Sequence, residues 1–203
     1  MARTSHGEDR VELLHRAKLP TRYGSFHIYS FAGPDGPGEH VALVKGRVTG
    51  LRDVLVRLHS ECLTGDAFGS KRCDCGEQLD AALRRLGRAR RGVLLYLAQE
   101  GRGIGIANKI AAYHLQDQGL DTVEANVALG FPADLRDYRV AAGILKLLGV
   151  KSVVLMTNNP RKISELQRQG IRVTRRMPLV VKTTAANRRY LRAKREKLAH
   201  LLE

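Results

Sequence analysis

Short apolar runs alternate with helically periodic stretches along most of this chain. A half-apolar strand and a one-sided helix each need another layer to bury against, so the alternation predicts an α/β layered fold. Residues 40–48 and 53–59 alternate or run apolar in the manner of strands. Residues 75–90 carry Leu79, Leu83 and Leu86 at helical spacing. Residues 92–97 form a short apolar run suited to a buried strand, and residues 104–118 read as a helix entered from a glycine-rich turn. A helix over 136–148, a strand over 152–157, a helix from Pro160 to about Gln169, a strand over 171–173 and a C-terminal helix over 190–202 complete the pattern. Pro160 suits a first helical position and Gly170 a stop. The Gly/Pro-rich residues 32–38 read as a surface turn. No repeat or linker divides the chain, so a single domain over 17–203 is expected, preceded by a polar arm over 1–16.

With 203 residues, 43% of them hydrophobic, the chain has the material for a sizeable core. It lacks a membrane-length apolar run and a secretory h-region at its start, which leads to the expectation of a soluble, cytoplasmic protein without a membrane partner. A net charge of +15 points to a polyanionic partner: nucleic acid, a nucleotide triphosphate or an acidic protein. Nucleic acid is the weakest of these, because neither a stacking-aromatic motif nor a helix-turn-helix pattern accompanies the charge.

The three cysteines, Cys62, Cys73 and Cys75, all fall in one short segment. Three thiolates suit zinc and leave a fourth tetrahedral position for water. Two other readings stand beside this one. His59 could close a structural four-ligand site, or the thiols could be free and metal-less. An open site would make zinc an activator of water, which favours hydrolysis.

Two segments have the composition of anion sites. The run 99–105, Gln-Glu-Gly-Arg-Gly-Ile-Gly, joins a strand to a helix, and its glycines permit close approach of backbone amides to an anion. It matches neither the dinucleotide fingerprint nor a P-loop, and an ordinary tight turn explains it equally well. Thr157-Asn-Asn-Pro-Arg-Lys162 brings a hydroxyl, a helix N-terminus and a lysine together after another strand. A capped helix with exposed basic residues is its plainer reading. Asp134 and Arg136 lie two positions apart, where a helix start could turn both into a cleft.

Residues 57–66 (Arg-Leu-His-Ser-Glu-Cys-Leu-Thr-Gly-Asp), 72–76 (Arg-Cys-Asp-Cys-Gly) and 99–102 (Gln-Glu-Gly-Arg) resemble GTP cyclohydrolase II. So do 115–119, 121–126 and 157–160, in the same order, so that the likeness covers roughly residues 17 to 202. The resemblance implies that family's layered mixed β-sheet flanked by helices. The implied reaction converts GTP to a diamino-ribosylamino-pyrimidinone phosphate, formate and pyrophosphate, the entry to riboflavin synthesis. It further implies zinc on Cys62, Cys73 and Cys75 with an open position, Asp134 as general base, Arg136 as nucleophile or electrostatic stabiliser at the α-phosphate, and Tyr113 as an aid to hydrolysis. GTP contacts would fall on Arg57, Leu58, His59, Ser60, Glu61, Gln78, Glu100, Gly101, Arg102, Thr122, Thr157 and Lys162. Magnesium on the pyrophosphate and a homodimer are implied as well. The dihydroxybutanone-phosphate synthase domain often fused in this family is not expected in so short a chain. The C-terminal 199–202 departs from the resemblance by lacking a methionine–glycine pair, and Asn187–Tyr190 is more basic than usual. Two alternatives are a specialised paralogue releasing the formylated pyrimidine and a zinc-stapled nucleic-acid-binding module.

Overall fold

A computed structural model describes residues 11–33, 36–181, 184 and 187–201. Seven strands form one mixed sheet: β1 (Glu12–Thr21), β2 (Gly24–Gly33), β3 (Gly36–Lys45), β4 (Val54–Ser60), β5 (Gly92–Leu97), β6 (Ser152–Met156) and β7 (Arg172–Met177). Their order across the sheet is β1-β2-β3-β5-β4-β6-β7. β1, β2, β3 and β5 pair antiparallel, whereas β5, β4, β6 and β7 pair parallel. The helices are α1 (Leu63–Asp66), α2 (Cys75–Arg88), α3 (Gly105–Asp117), α4 (Thr122–Ala128), α5 (Arg139–Leu147), α6 (Pro160–Arg168) and α7 (Arg188–Leu198). The expected layered α/β architecture is therefore present.

Side-chain alternation along the parallel strands divides the sheet into two faces. Val54, Val56 and Leu58 of β4 join Val93, Leu95 and Leu97 of β5 and Val153 and Leu155 of β6 in one core, closed by Ile144 and Leu145 of α5 and Leu166 of α6. Each fully buried leucine or isoleucine here contributes about 1.5–3 kcal/mol. On the other face Leu94 and Met156 meet Ala82 and Leu86 of α2 together with Phe26. Arg57 and His59 have the opposite parity to Leu58, so they fall on this second face toward α2.

Several boundaries differ from the sequence expectation. The proposed limit of the arm at residue 16 falls within β1, which begins at Glu12. Most of β1 is exposed, and its central His15-Arg-Ala-Lys18 is not apolar-alternating, so it has no strand signature of its own. It is held by its antiparallel register with β2. The helix expected over 136–148 starts only at Arg139, leaving Asp134 and Arg136 in the preceding loop. The C-terminal helix ends at Leu198, where Ala199 turns left-handed at φ 52°. Residues 34–35 of the turn over 32–38 and residues 202–203 of the expected C-terminal helix and tail lie outside the described residues. α1 and α4 had no counterpart in the periodicity; α4 is fixed locally by a reciprocal capping box between Asp121 and Glu124.

Among the described residues, no helix is long and apolar enough to cross a membrane.

Candidate active site

β4 is flanked on one side by β5 and on the other by β6, and the segments leaving the carboxyl ends of these three strands converge. In open parallel sheets such a point of divergence leaves a crevice for ligands. Two adjoining cavities occupy it, sharing Ser60, Cys75, Arg102, Arg136 and Tyr190 as walls.

The first cavity contains the sulfur cluster. The Sγ atoms of Cys62, Cys73 and Cys75 all lie within 4.8 Å of one another, and those of Cys62 and Cys73 are 3.7 Å apart. A zinc–sulfur length of about 2.3 Å at a tetrahedral angle requires sulfurs about 3.8 Å apart, so the cluster has the dimensions of a zinc site. Gly65 of α1 supplies the space: a Cβ there would stand 2.9 Å from Cys73 Sγ and 3.1 Å from Cys62 Sγ. Gly76 serves the same purpose one layer out, since its Cβ would meet the Gly65 carbonyl at 2.3 Å.

His59 does not complete the cluster. Its Nε2 lies 2.8 Å from Asp66 Oδ2, and its ring stacks on Tyr96 at 5.4 Å. Burial pushes the imidazole toward its neutral form against the opposing pull of Asp66. The same Asp66 carboxylate accepts from Tyr96 Oη at 2.9 Å and from the Cys62 amide at 3.1 Å, so His59 helps to hold the loop that carries the first thiol. Among the described residues, no histidine or carboxylate joins the three sulfurs.

Lys109, on α3, reaches the cluster from the far wall. Its Nζ donates to Cys62 Sγ at 3.1 Å and to Glu100 Oε1 at 2.7 Å. Burial would lower the Lys109 pKa, but these hydrogen bonds outweigh it and raise the value. Hydrogen bonds from Cys73 and Cys75, with the Lys109 ammonium, hold the Cys62 thiol well below the ordinary range. Cys73, bonded to Cys62, is pushed up to about 11. Glu100 also accepts from the amides of Leu63 at 2.6 Å and Gly101 at 2.7 Å, tying the glycine-rich turn to the metal loop. Tyr113, one turn beyond Lys109, contacts Thr64 Oγ1 at 3.0 Å, with Arg72 over its ring. Burial raises its phenol pKa. Glu61 lines the same cavity, and its carboxyl pKa is raised by burial and then by Glu100 and Asp66.

The glycine-rich turn is a short 3-10 segment in which Gly101 and Arg102 both adopt φ near 62°. Such a conformation costs a non-glycine residue about 1–2 kcal/mol. Arg102 is held there by donating to the Thr122 carbonyl at 3.1 Å and its Oγ1 at 2.7 Å.

The second cavity is cationic. Arg57 donates to Gln78 Oε1 at 2.6 Å and to the Met156 carbonyl at 3.0 Å. Lys162 donates to the Leu58 carbonyl at 2.7 Å. Both side chains are buried, and among the described residues neither has a carboxylate partner. Burial lowers the Lys162 pKa well below 10.5, and Arg57, Arg136 and Lys194 add to the shift. Thr157, at the end of β6, folds its hydroxyl into the turn that precedes Asn159, the cap of α6, whose side chain accepts from the Arg161 amide at 2.9 Å.

Arg136 faces both cavities, whereas Asp134 lines neither. The two form a bidentate pair: Arg136 Nε donates to Oδ1 at 2.8 Å and Nη2 to Oδ2 at 2.7 Å. Burial opposes the Arg136 charge, but Tyr138 and Asp134 more than restore it, raising the pKa. The Asp134 carboxyl, whose pKa burial alone would raise, is held low by Arg136.

Of the expected substrate residues, Ser60, Glu61, Glu100, Gly101, Arg102 and Thr122 line the sulfur-bearing cavity, and Arg57, His59, Gln78, Thr157 and Lys162 the cationic one. Leu58 differs from these in how it reaches the site. Its side chain is fully buried in the core, and only its carbonyl faces the site, by accepting from Lys162. The sequence reading passed over Lys109, although its four-residue spacing from Tyr113 put both on one helix face. It also passed over Asp74, Lys194 and His200, for which no local pattern exists. Asp74 accepts from Lys194 Nζ at 2.7 Å across 120 residues of chain, and from Gln78 as well.

A family model described as GTP cyclohydrolase II matches residues 12–178. The chain is 56% identical over 193 residues to a GTP cyclohydrolase-2 of Aeromonas hydrophila, covering 95% of this chain and 98% of that one. It is 54% identical over 193 residues to a GTP cyclohydrolase-2 of Histophilus somni, covering 95% and 89%. It is also 56% identical over 197 residues to a riboflavin biosynthesis protein RibBA of Bacillus mycoides, covering 97% of this chain and 50% of that protein. The chain thus spans about half the length of the RibBA proteins it matches.

Proposed function

Because the chain belongs to the GTP cyclohydrolase II family, we propose that it hydrolyses GTP to a diamino-ribosylamino-pyrimidinone phosphate, formate and pyrophosphate, the first step of riboflavin synthesis. The observation that carries this reading is the adjacency of an open three-thiol cluster and a cavity whose buried Arg57 and Lys162 lack carboxylate partners among the described residues. A molecule with an electrophilic ring at one end and a polyphosphate at the other satisfies both.

Zinc held by Cys62, Cys73 and Cys75 would supply a Lewis acid that brings the pKa of a water nucleophile to about 7, suited to attack on carbon 8 of guanine. The residues around it divide the remaining work. Tyr113, kept protonated by burial, stands beside the cluster as a proton donor to the opening imidazole ring. Glu61, whose carboxyl binds its proton more tightly than usual, and the Arg102 turn lie where the guanine edge would rest. Arg57, Thr157 and Lys162 receive the phosphate tail, and charge-assisted contacts to phosphate are the strong class of hydrogen bond. Magnesium would share the pyrophosphate charge, as clustered phosphates require.

For Arg136 the geometry favours stabilisation of the transferring phosphoryl group. Two of its three nitrogens are committed to Asp134, and that carboxylate holds the guanidinium charged. A charged guanidinium is a poor nucleophile and a good electrostatic partner. Asp134 then acts by orienting and charging Arg136.

A homodimer rests on the family resemblance alone. The nucleic-acid module needs a fourth protein ligand on the metal, and His59 is engaged elsewhere. The deciding experiment incubates the chain with GTP, zinc and magnesium and follows formate, pyrophosphate and product mass. Formate and pyrophosphate in equal amounts support the reading. A product retaining the formyl group would assign the chain to the specialised paralogue, and no turnover of GTP would refute both.

A further inference from the structure

α7 and His200 beyond it form a wall of the cationic cavity. Lys194 anchors the helix to Asp74 at 2.7 Å, and Leu201 N donates to the Asn158 carbonyl at 2.8 Å, beside the α6 cap. Between these anchors Ala199 takes a left-handed conformation at φ 52°, and the His200 amide returns to the Lys194 carbonyl at 3.1 Å. This bond to a carbonyl six residues back reverses the chain at the end of α7. The reversal sends the His200 ring back into the cavity lined by Arg57, Lys162 and Arg136.

The His200 Nε2 atom is buried there and has no hydrogen-bond partner among the described residues. An unpartnered buried polar atom is costly, and one kept in a functional cavity calls for a ligand. Burial, then Lys194, Arg136 and Lys162, depress the imidazole pKa to about 3, so the ring enters the cavity neutral and can offer an N–H. The charged groups acting on it most are Lys194 from α7, Arg136 from the loop before α5, Lys162 from α6 and Asp74 from the loop before α2, and Arg57 and Arg102 line the same cavity. Five of these six are cations, which leaves a phosphate oxygen as the acceptor that fits.

We propose that His200 is a substrate-binding residue whose Nε2–H donates to an outer phosphate oxygen of the nucleotide, with α7 held over the cavity by the Lys194–Asp74 pair. This deepens the GTP reading and rests on it for the identity of the nucleotide. The chemical class, a pyrophosphate group, follows from the cavity itself.

The test measures calorimetric binding of inorganic pyrophosphate, with magnesium, to the zinc-loaded chain as wild type, His200→Ala and His200→Asn. Steady-state GTP kinetics accompany it, and zinc content with thermal midpoint serves as the folding control. Loss of one hydrogen bond to a charged oxygen weakens binding by about tenfold to a hundredfold. His200→Ala should therefore lose that much pyrophosphate affinity and raise KM for GTP more than it lowers kcat, with zinc content unchanged. His200→Asn, which keeps an N–H, should recover part of the loss. Pyrophosphate affinity within twofold of wild type in His200→Ala, or no pyrophosphate binding by the wild type, would overturn the assignment. If His200→Ala lost zinc or melted early, His200→Asn would decide: wild-type folding without any binding recovery also overturns it. Formate release from GTP by the wild type tests the enzyme reading separately, because pyrophosphate binding does not need turnover.

Discussion

Replacing Gly65 with alanine separates the needs of the sulfur cluster from those of the helix around it. Gly65 lies within α1 in an ordinary helical conformation, so local backbone physics alone would reward the change by up to about 1 kcal/mol. The added methyl, however, would stand 2.9 Å from Cys73 Sγ, 3.1 Å from Cys62 Sγ and 3.1 Å from Cys75 Cβ. Optimal contacts between such atoms lie near 3.5–4.0 Å, so at least two sulfurs must retreat by about half an ångström. Overpacking of this kind costs about 1–3 kcal/mol, and displaced support around a metal typically weakens its binding 10- to 100-fold. Gly65→Ala should lose zinc affinity by about that factor, measured by competition with a chromophoric chelator. Formate release should fall in parallel and be partly restored by excess zinc. A variant that binds zinc as tightly as wild type, and melts higher as helix propensity alone dictates, would refute the idea that Gly65 is present to make room for sulfur.

Three other substitutions test other parts of the site. Lys162→Met removes a buried cation without a carboxylate partner. Its pKa in the folded chain is well below the 10.5 of the unfolded chain, so the unfolded state binds more protons between those values and stability rises with pH across that window. In nucleotide-free protein the variant should melt at least ~2 °C above wild type at neutral pH, with the gap closing toward pH 10.5, while KM for GTP rises; a lower melting point at neutral pH would contradict this. Arg136→Lys keeps one charge but loses the bidentate pairing with Asp134, and kcat should fall about 100- to 1000-fold with a smaller change in KM; near-normal turnover would remove Arg136 from the phosphoryl step. Asp74→Asn leaves Lys194 buried without its counter-charge and should cost about 3–5 kcal/mol in chemical denaturation, whereas a loss below ~1 kcal/mol would show that α7 is held by other contacts.

The central strands and the helices that cover them were legible because they are buried, and burial writes a period into the sequence. β5 and β6 are unbroken apolar runs, and α2 repeats its leucines at helical spacing. β1 was illegible because its side chains are mostly exposed and its conformation is dictated by the neighbour it pairs with. The spacing of the cysteines pointed to a metal cluster without excluding free thiols or a closing His59, and the geometry that speaks to the latter is His59 bonding Asp66 seven residues on. Strand parity sends the Leu58 side chain to the opposite side from Arg57 and His59, so that only its carbonyl reaches the cavity. The Asp74–Lys194 and His200 contacts join distant segments and leave no periodic trace.

Three parallel neighbours, β5, β4 and β6, each deliver one part of the recognition surface: the arginine turn, the thiol loop and the lysine-bearing helix start. Strands in a sheet stand about 4.8 Å apart, so the outer two of these parts are separated by roughly 10 Å of hydrogen-bonded main chain. The sheet therefore acts as a ruler. Under the proposed function, a nucleotide would be gauged by the distance between its base and its charged tail, a distance set first by backbone spacing.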